Sequence, residues 1–346
     1  MRVDTWNISG PGFHFGRRGL EQEESATSFT SDSLFSALTV RCATLGGESN
    51  VKTWMSYFLK DPPALVLSST FPRAGEVRLF PTPLRTVRAQ SNAGSENYKL
   101  LKKVKYVSQE GFTSLLAGES LQKLLEKSVV FQDGQVLVTR NELPELPNTL
   151  RDGLSPIWKI EQRPRVTIDR IHFKSTLYFT GRTTFSDGCG LWFGVRWVDE
   201  PDGLDQQLAS LLKELADAGL GGDRSGGFGA ATIEPGGTLD LPDPTGTCWV
   251  SLSRYLPHPE DQVALLDQRA AYAVENVGGW IDLPVKPAER RRNVNMLVEG
   301  SVFGPVNRAV PGMVADVQPV YGQKQPLGHP VWRNGCALAA GFTTAS

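Results

Sequence analysis

Cysteine and histidine are scarce in this chain, which has four of each among 346 residues. They are also scattered, at Cys42, Cys189, Cys248 and Cys336, and at His14, His172, His258 and His329. Disulfide frameworks and zinc sites need these residues at short, regular spacings. The sequence therefore favours a reduced cytoplasmic protein, and it predicts no metal and no cofactor.

Long apolar runs and a strong charge bias are missing as well. No stretch of about 18 consecutive apolar residues occurs, so no membrane span is expected. The opening residues (MRVDTWNIS) lack the basic and then apolar pattern of a secretion signal. The 36 Lys and Arg residues nearly balance 37 Asp and Glu residues, giving a net charge of −1. This balance does not indicate a nucleic-acid partner, but it leaves room for a local basic patch.

Glycine, by contrast, is concentrated in residues 219–229 (GLGGDRSGGFG), where six of eleven positions carry it. The preceding residues 204–218 have leucines at helical spacing, and residues 228–234 resemble a short strand. Phosphate-binding loops of nucleotide-binding proteins run strand, loop, helix, because the helix N-terminus supplies the N–H donors. Here the loop follows the helix, and neither the Walker nor the dinucleotide spacing is met. Mononucleotide binding is therefore disfavoured.

The glycine loop instead predicts close approach of bare backbone to a ligand. Its successive N–H groups can form an anion nest, and Arg224 adds a charge-assisted donor. The structural alternative is a helix C-cap followed by a turn, for which a single glycine would suffice.

Residues 10–20 (GPGFHFGRRGL) combine turn formers with aromatic and cationic side chains. Phe13, His14 and Phe15 followed by Arg17 and Arg18 suit stacking on unpaired bases and binding of phosphates. The alternative is a loop that packs Phe13 and Phe15 into the core.

The most basic window covers residues 85–105, with Arg85 and Arg88 at its start and a polar centre at residues 90–97. A protrusion with basic flanks can track a nucleic-acid backbone. A solvated basic surface explains the same composition.

Residues 144–156 are rich in proline, and we place a domain boundary there. Each half mixes short strands with one or two helices, which predicts an α+β fold built from two ferredoxin-like sandwiches.

A helix is expected from about residue 31, capped by Ser31 or Asp32 and ended by Gly46 and Gly47. Strands are expected at 3–8, 64–70, 76–80, 176–180 and 191–198. A compact basic cluster, Glu289–Arg292 (ERRR), precedes another apolar segment.

Six segments occur in an order that resembles a known family. They are Phe15-Gly16 with Leu20-Glu21, SDSLFSA (31–37), YKLLKKVKYVS (98–108), RVTIDR (165–170), the glycine loop, and EGSVF (299–303). Nearly end to end, the chain resembles the RAMP superfamily, and within it the fourth subunit of the Csm effector complex of type III-A CRISPR systems. The glycine loop is typical of the superfamily, whereas the ordered set is typical of the subunit.

The resemblance implies two tandem ferredoxin-like (RRM-type) RAMP domains, at 1–155 and 156–346. It implies a thumb-like hairpin inserted in the first domain, which we place around 81–110, that kinks the nearby guide–target RNA duplex. It also implies binding of the 5′ handle of crRNA and contacts to the large signalling subunit and a backbone RAMP subunit. Asp223 departs from the family pattern, since a basic residue is common there.

Three functions compete on this basis. The first is a non-catalytic RNA-binding subunit, for which the expected contact residues are Phe13, His14, Phe15, Arg17, Arg18, Arg85, Arg88, Arg165, Arg170, Gly221, Gly222, Arg224, Ser225, Gly226, Gly227, Phe228 and Gly229. The second is a metal-independent CRISPR-RNA endoribonuclease that uses His14 as general base. The third is the equivalent handle-capping subunit of a type III-B complex.

Overall fold

The computed structural model describes residues 1–18, 23–88, 95–169, 174–281, 288–321 and 327–343. Within these ranges the chain forms an α+β fold, as the sequence predicts. The helices are α1 (Ser31–Leu59), α2 (Leu84–Arg88), α3 (Ser95–Lys103), α4 (Gln109–Leu116), α5 (Leu121–Glu126), α6 (Asn148–Arg151), α7 (Leu204–Ala218) and α8 (Gln262–Leu266). Short 3-10 turns cover Gln132–Gly134, Arg140–Glu145, Arg224–Gly226 and Pro259–Asp261.

The first twelve strands are β1 (Arg2–Ser9), β2 (Gly16–Arg18), β3 (Glu23–Ser25), β4 (Leu65–Leu67), β5 (Phe71–Ala74), β6 (Val77–Pro81), β7 (Tyr106–Ser108), β8 (Ser128–Phe131), β9 (Val136–Thr139), β10 (Trp158–Ile168), β11 (Ser175–Phe185) and β12 (Cys189–Trp197). The others are β13 (Thr232–Asp240), β14 (Cys248–Ser251), β15 (Val274–Val277), β16 (Trp280–Ile281), β17 (Glu289–Arg290), β18 (Val294–Leu297), β19 (Val302–Phe303), β20 (Val314–Asp316), β21 (Trp332–Asn334) and β22 (Ala339–Phe342).

The largest sheet of the described chain has the order β13-β1-β12-β5-β6-β7-β9-β8, with β4 also paired to β12. Its central strand β12 alternates between two cores, as the two-residue period of a strand requires. Leu191 and Phe193 face a core that α1 and α7 cover, whereas Trp192 faces the opposite core. Strands from both sides of position 155 thus share one sheet, and the division at that position stays a prediction.

Helix α1 differs from the prediction at both ends. The N-cap is Thr30, and Asp32 lies buried inside the first turn. Gly46 and Gly47 leave helical geometry as expected, but the chain then re-enters a helix that continues to Leu59. The second segment is retained because Trp54, Met55 and Phe58 are buried against the same core.

Strands β10 and β11 form a long hairpin, antiparallel over eleven pairs from Trp158–Phe185 to Ile168–Ser175. Most of its side chains beyond Trp158 are exposed. The strands predicted at 176–180 and 191–198 both form, but β11 pairs with β10, whereas β12 pairs within the large sheet. The four-stranded sheet β10-β11-β3-β2 thereby joins the hairpin to the opening segment.

The window 81–110 is mainly helical where it is described. It contains α2, α3 and β7, and residues 89–94 lie outside the described ranges. The placement of a thumb there stays a prediction. No helix in the described ranges has both the length and the apolar character needed to cross a membrane.

Candidate nucleic-acid interface

The glycine loop of residues 219–229 is fastened to the opening segment by its own backbone. The Gly222 N–H donates to the His14 carbonyl at 2.8 Å, and the Gly229 N–H donates to the Gly12 carbonyl at 2.9 Å. The Leu220 N–H closes the loop by donating to the Gly229 carbonyl at 2.8 Å. The two glycine-rich segments predicted as separate features therefore form one site.

Close packing explains why glycine is needed at particular positions of this loop. Gly221 has φ +92°, and a Cβ there would stand 2.5 Å from the His14 carbonyl oxygen. Gly229 has φ +87°, and its Cβ would stand 2.5 Å from the Leu220 carbonyl oxygen. Any larger residue would meet both the left-handed penalty and a backbone clash.

Arg165 on β10 holds the outer part of the loop. Its Nη2 donates to the Gly226 carbonyl at 2.8 Å and lies 3.4 Å from Asp223 Oδ2. Asp223 itself is in the left-handed region, at φ +50°, which Asp tolerates better than most residues. The acidic residue that departs from the family pattern is thus an internal partner for a hairpin arginine.

Phe228 lies beneath two guanidinium groups. The Cζ atoms of Arg165 and Arg182 are 5.2 and 5.6 Å from its ring centroid, within the range of cation–π contacts. The ring is only 7% exposed, so Phe228 supports these arginines and offers no free stacking face. Arg182 also donates to the Pro11 carbonyl at 2.7 Å. Arg182 is absent from the residues predicted from sequence, because the predicted strand ends at Thr180 whereas β11 continues to Phe185.

Phe13 and Phe15 lie in the core, as the structural alternative holds. They are 0% and 4% exposed, and their rings stack at 5.3 Å. His14 between them is also buried, and its Nδ1 lies 2.7 Å from the Gly181 carbonyl oxygen. These three residues position the glycine loop and the hairpin relative to each other.

The other residues predicted to contact RNA lie away from the glycine loop, or their side chains lie outside the described part of the chain. Arg85 on α2 donates to the Gln268 carbonyl at 3.5 Å and takes no part in the loop. The backbones of Arg17 and Arg18 form edge strand β2, while their side chains, like that of Arg88, lie outside the described part. Arg170 lies outside the described residues altogether.

The outer arc of the glycine loop faces solvent. Gly222, Arg224, Ser225 and Gly227 are exposed, and the first two flank Asp223. Among the described residues, the N–H groups of Asp223, Arg224 and Ser225 donate to no backbone carbonyl. Consecutive free N–H groups beside a guanidinium suit a phosphate.

A cleft of about 800 Å³ opens beside the loop. His14, Gly221 and Gly222 form one wall, and the start of α1 forms another. The far wall comes from the C-terminal third, with the charged or aromatic residues Arg254, Glu275, Trp280, Arg291, Glu299 and Arg333. Among the described residues, no group of three His, Cys, Asp or Glu side chains is arranged to hold a metal ion.

Comparison with known proteins gives concordant matches. The family model for the CRISPR Csm4 C-terminal domain matches residues 245–342. The CRISPR system Cms protein Csm4 of Mycobacterium tuberculosis is 26% identical over 337 residues, covering 91% of this chain and 93% of that protein. The Methanocaldococcus jannaschii protein of the same name is 24% identical over 338 residues, covering 89% and 86%.

Solved structures share the fold over the whole chain. A chain of the Csm3-Csm4 subcomplex of the type III-A CRISPR-Cas interference complex superposes with a TM-score of 0.66 at 17% identity, covering 98% of this chain and 99% of its own. A chain of the Csm1-Csm4 cassette in complex with cA4 gives a TM-score of 0.60 at 17% identity, with complete coverage of both.

The fold and the glycine loop define a RAMP-superfamily subunit of a CRISPR effector complex. Within that class, residues 245–342 match the Csm4 C-terminal domain family, and about nine tenths of the chain is similar to Csm4 proteins. Together these matches support a Csm4-type RAMP subunit.

Proposed function

We propose that this chain is a non-catalytic RNA-binding subunit that caps the 5′ handle of crRNA and joins the large signalling subunit to the backbone subunits. The observation that carries the proposal is the outer arc of the glycine loop, where three consecutive N–H groups without a backbone partner lie at and beside the exposed Arg224. Protein chains that resemble this one occur in structures with Csm1 and with Csm3, which supports the two protein contacts.

The residues that the sequence predicts to contact RNA have different roles in this proposal. The free N–H groups of Asp223, Arg224 and Ser225 and the charge of Arg224 are offered to a phosphate, and backbone donors fix register without reading sequence. Gly222 and Gly227 are exposed beside them, but their N–H groups are bonded within the protein. Arg165 remains one-third exposed, so it can serve both the loop and RNA. The buried rings of Phe13, Phe15 and Phe228 support this surface from below, and base stacking is not assigned to them.

The geometry of His14 favours a positioning role over catalysis. Its backbone carbonyl accepts the Gly222 N–H, and its ring contacts the Gly181 carbonyl at 2.7 Å. A general base needs a nitrogen that reaches the proton of an attacking hydroxyl. A buried ring engaged with main chain fits the architecture of the loop, so we propose no cleavage activity for it.

The β10–β11 hairpin is a second candidate for the thumb that meets the guide–target duplex. It protrudes over most of its length, and one face carries Val166, Ile168 and Leu177, each more than half exposed. The proposal also includes a cytoplasmic location, which the four free, buried cysteines support.

The proposal is tested by purifying the Csm complex through a tagged copy of this chain, with Arg224→Ala and Gly222→Asp variants. We expect less crRNA per complex and a flatter salt dependence for Arg224→Ala, by a slope of about 0.7 for one lost phosphate contact. Arg151→Ala, at an exposed arginine that ends α6, is the matched control. Full crRNA occupancy in both loop variants at every salt concentration would rule out the loop as the handle site.

A further inference from the structure

Trp280 is an unusually placed aromatic side chain at the rim of the cleft. It is 54% exposed, although it belongs to a short strand that pairs with β17. Arg290, its partner in register, places its Cζ 4.7 Å from the Trp280 ring centroid. One side of the indole is thus backed by a guanidinium, an arrangement that raises its suitability for stacking on a further flat group.

Arg291, the next residue, lies in the wall of the same cleft. Its Nε is buried and has no hydrogen-bond partner among the described residues. Burial, followed by the nearby positive charge of Arg333, lowers the pKa of Arg291. A guanidinium presents five donors and no acceptor, and buried donors need an acceptor from solvent or a ligand.

The two other arginines that line the described part of the cleft are already paired with carboxylates. Arg333 forms a buried ion pair with Asp32. Arg254 lies 2.6 Å from a Glu275 carboxylate oxygen and 3.2 Å from one of Glu299. Within the described part of the cleft, Arg291 is therefore the arginine that keeps its charge available for an anion.

The cleft is continuous from Trp280 to the glycine loop. His14, Gly221 and Gly222 line it together with Trp280 and Arg291. Its volume of about 800 Å³ lies within the usual range of about 300–1,000 Å³ for ligand pockets. A single strand that leaves the outer arc of the loop can follow this cleft toward Trp280.

We propose that Trp280 and Arg291 form a nucleotide subsite, in which the base of one unpaired RNA residue stacks on Trp280 and its phosphate accepts from Arg291. The inference rests on the proposed function, because the strand is the one held at the glycine loop. It assigns a role to the Glu289–Arg292 cluster: Arg290 backs the indole, Arg291 binds the ligand, and Arg292 donates to the Asp316 carbonyl.

The test uses the complete Csm complex reconstituted with crRNA that carries 4-thiouridine at single handle positions. We expect one position to crosslink to the peptide that contains residues 278–281. Trp280→Ala should weaken crRNA binding about 5- to 100-fold, the loss of one base stack, whereas Trp280→Phe should stay within about 3-fold of wild type. Arg291→Ala should flatten the salt dependence by a slope of about 0.7.

Tyr321→Ala is the matched control, since Tyr321 is 56% exposed and hydrogen-bonds Glu289, but does not line the cleft. Wild-type binding by Trp280→Ala, with Arg224→Ala still impaired, would overturn the subsite alone. Wild-type binding by both variants would overturn the proposed function. A crosslink from residues 278–281 to a partner protein instead of RNA would also overturn the subsite and identify a protein interface.

Discussion

Arg165 Nη2 donates to the Gly226 carbonyl at 2.8 Å, which joins two segments separated by 61 positions in the chain. The bond ties the β10–β11 hairpin to the glycine loop, and the Asp223 carboxylate 3.4 Å away strengthens it. The loop is thus held in shape by a residue of the hairpin, and substitutions on the hairpin are expected to alter RNA binding.

Arg165→Ala is expected to lower crRNA retention more than the loss of one charge would. The substitution removes the anchor of Gly226 and leaves Asp223 unpaired beside the RNA. Arg165→Lys keeps the charge but not the fork geometry, so an intermediate loss is expected. Retention is measured by quantifying RNA in complexes washed at rising salt.

Arg163→Ala is the control for this variant, since Arg163 lies on the same strand and pairs with Glu161. Equal retention by Arg163→Ala and Arg165→Ala would mean that only net charge matters, and the anchoring role of Arg165 would be wrong.

Asp223→Asn is expected to tighten RNA binding without loss of stability. Asn also tolerates the left-handed conformation at φ +50°, and its side-chain oxygen can still accept from Arg165. One negative charge is removed near the phosphates, so we expect a gain on the order of 2- to 5-fold near 0.1 M salt. Asp217→Asn on α7 makes the same charge change at an exposed helical position. The expectation fails if Asp217→Asn tightens binding by the same factor.

Gly227→Ala and Gly229→Ala compare two positions with the same φ of +87° but different surroundings. A Cβ at Gly227 meets nothing within 4 Å, whereas one at Gly229 meets the Leu220 carbonyl oxygen at 2.5 Å. Gly227→Ala should therefore cost only the left-handed penalty of about 1–2 kcal/mol. Gly229→Ala should cost about 3 kcal/mol or more, since main chain must move. Urea unfolding of both variants measures the difference, and equal midpoints would contradict the close approach.

Much of the fold could be predicted from residue spacing. The leucines of α7 recur at helical intervals, and all five are buried against the sheet. Ser120 caps α5 through its side chain, as a Ser before a short apolar helix predicts. These features depend on neighbours a few residues away, which is the range over which helix and strand periods act.

The site could be predicted only in part, because its contacts are long-range. The glycine loop and the Phe13–Phe15 segment are each visible in the sequence, but their backbone bonding to one another is not. The role of Asp223 depends on Arg165, and that of Arg290 depends on Trp280. From the sequence alone, a core-packing role for Phe13 and Phe15 could not be distinguished from a base-stacking role, because both roles favour an aromatic residue in a loop.

The buried ion pair between Asp32 and Arg333 predicts a large stability loss when either partner is removed. The two residues are 1% and 3% exposed, and Arg333 Nη2 also donates to the Gly278 carbonyl at 2.9 Å. Asp32→Ala should lower the free energy of unfolding by about 3–5 kcal/mol, because an unpaired buried guanidinium remains. Lys52→Ala breaks an exposed i,i+4 pair with Glu48 and should cost no more than about 0.5 kcal/mol. Similar urea midpoints for the two variants would show that the buried pair contributes little.

The four cysteines are expected to resist alkylation while the chain is folded. All are free and buried, and burial raises the pKa of Cys189 to about 11 and that of Cys336 to about 12. The thiolate is the reactive form, so at pH 8 roughly one Cys336 thiol in 10,000 is reactive even when a reagent reaches it.

Mass spectrometry of iodoacetamide-treated complex should therefore show almost no labelling at pH 8 and four labels per chain after denaturation.

The raised pKa values of the cysteines also determine how the stability of the folded chain changes at alkaline pH. The folded chain holds these protons more tightly than the unfolded one, so their contribution to stability is complete below about pH 9. It is then lost as the pH rises toward the folded pKa, because the unfolded thiols ionise first. Rapid native labelling of Cys336 at pH 8 would mean that its environment is open to solvent and would contradict both expectations.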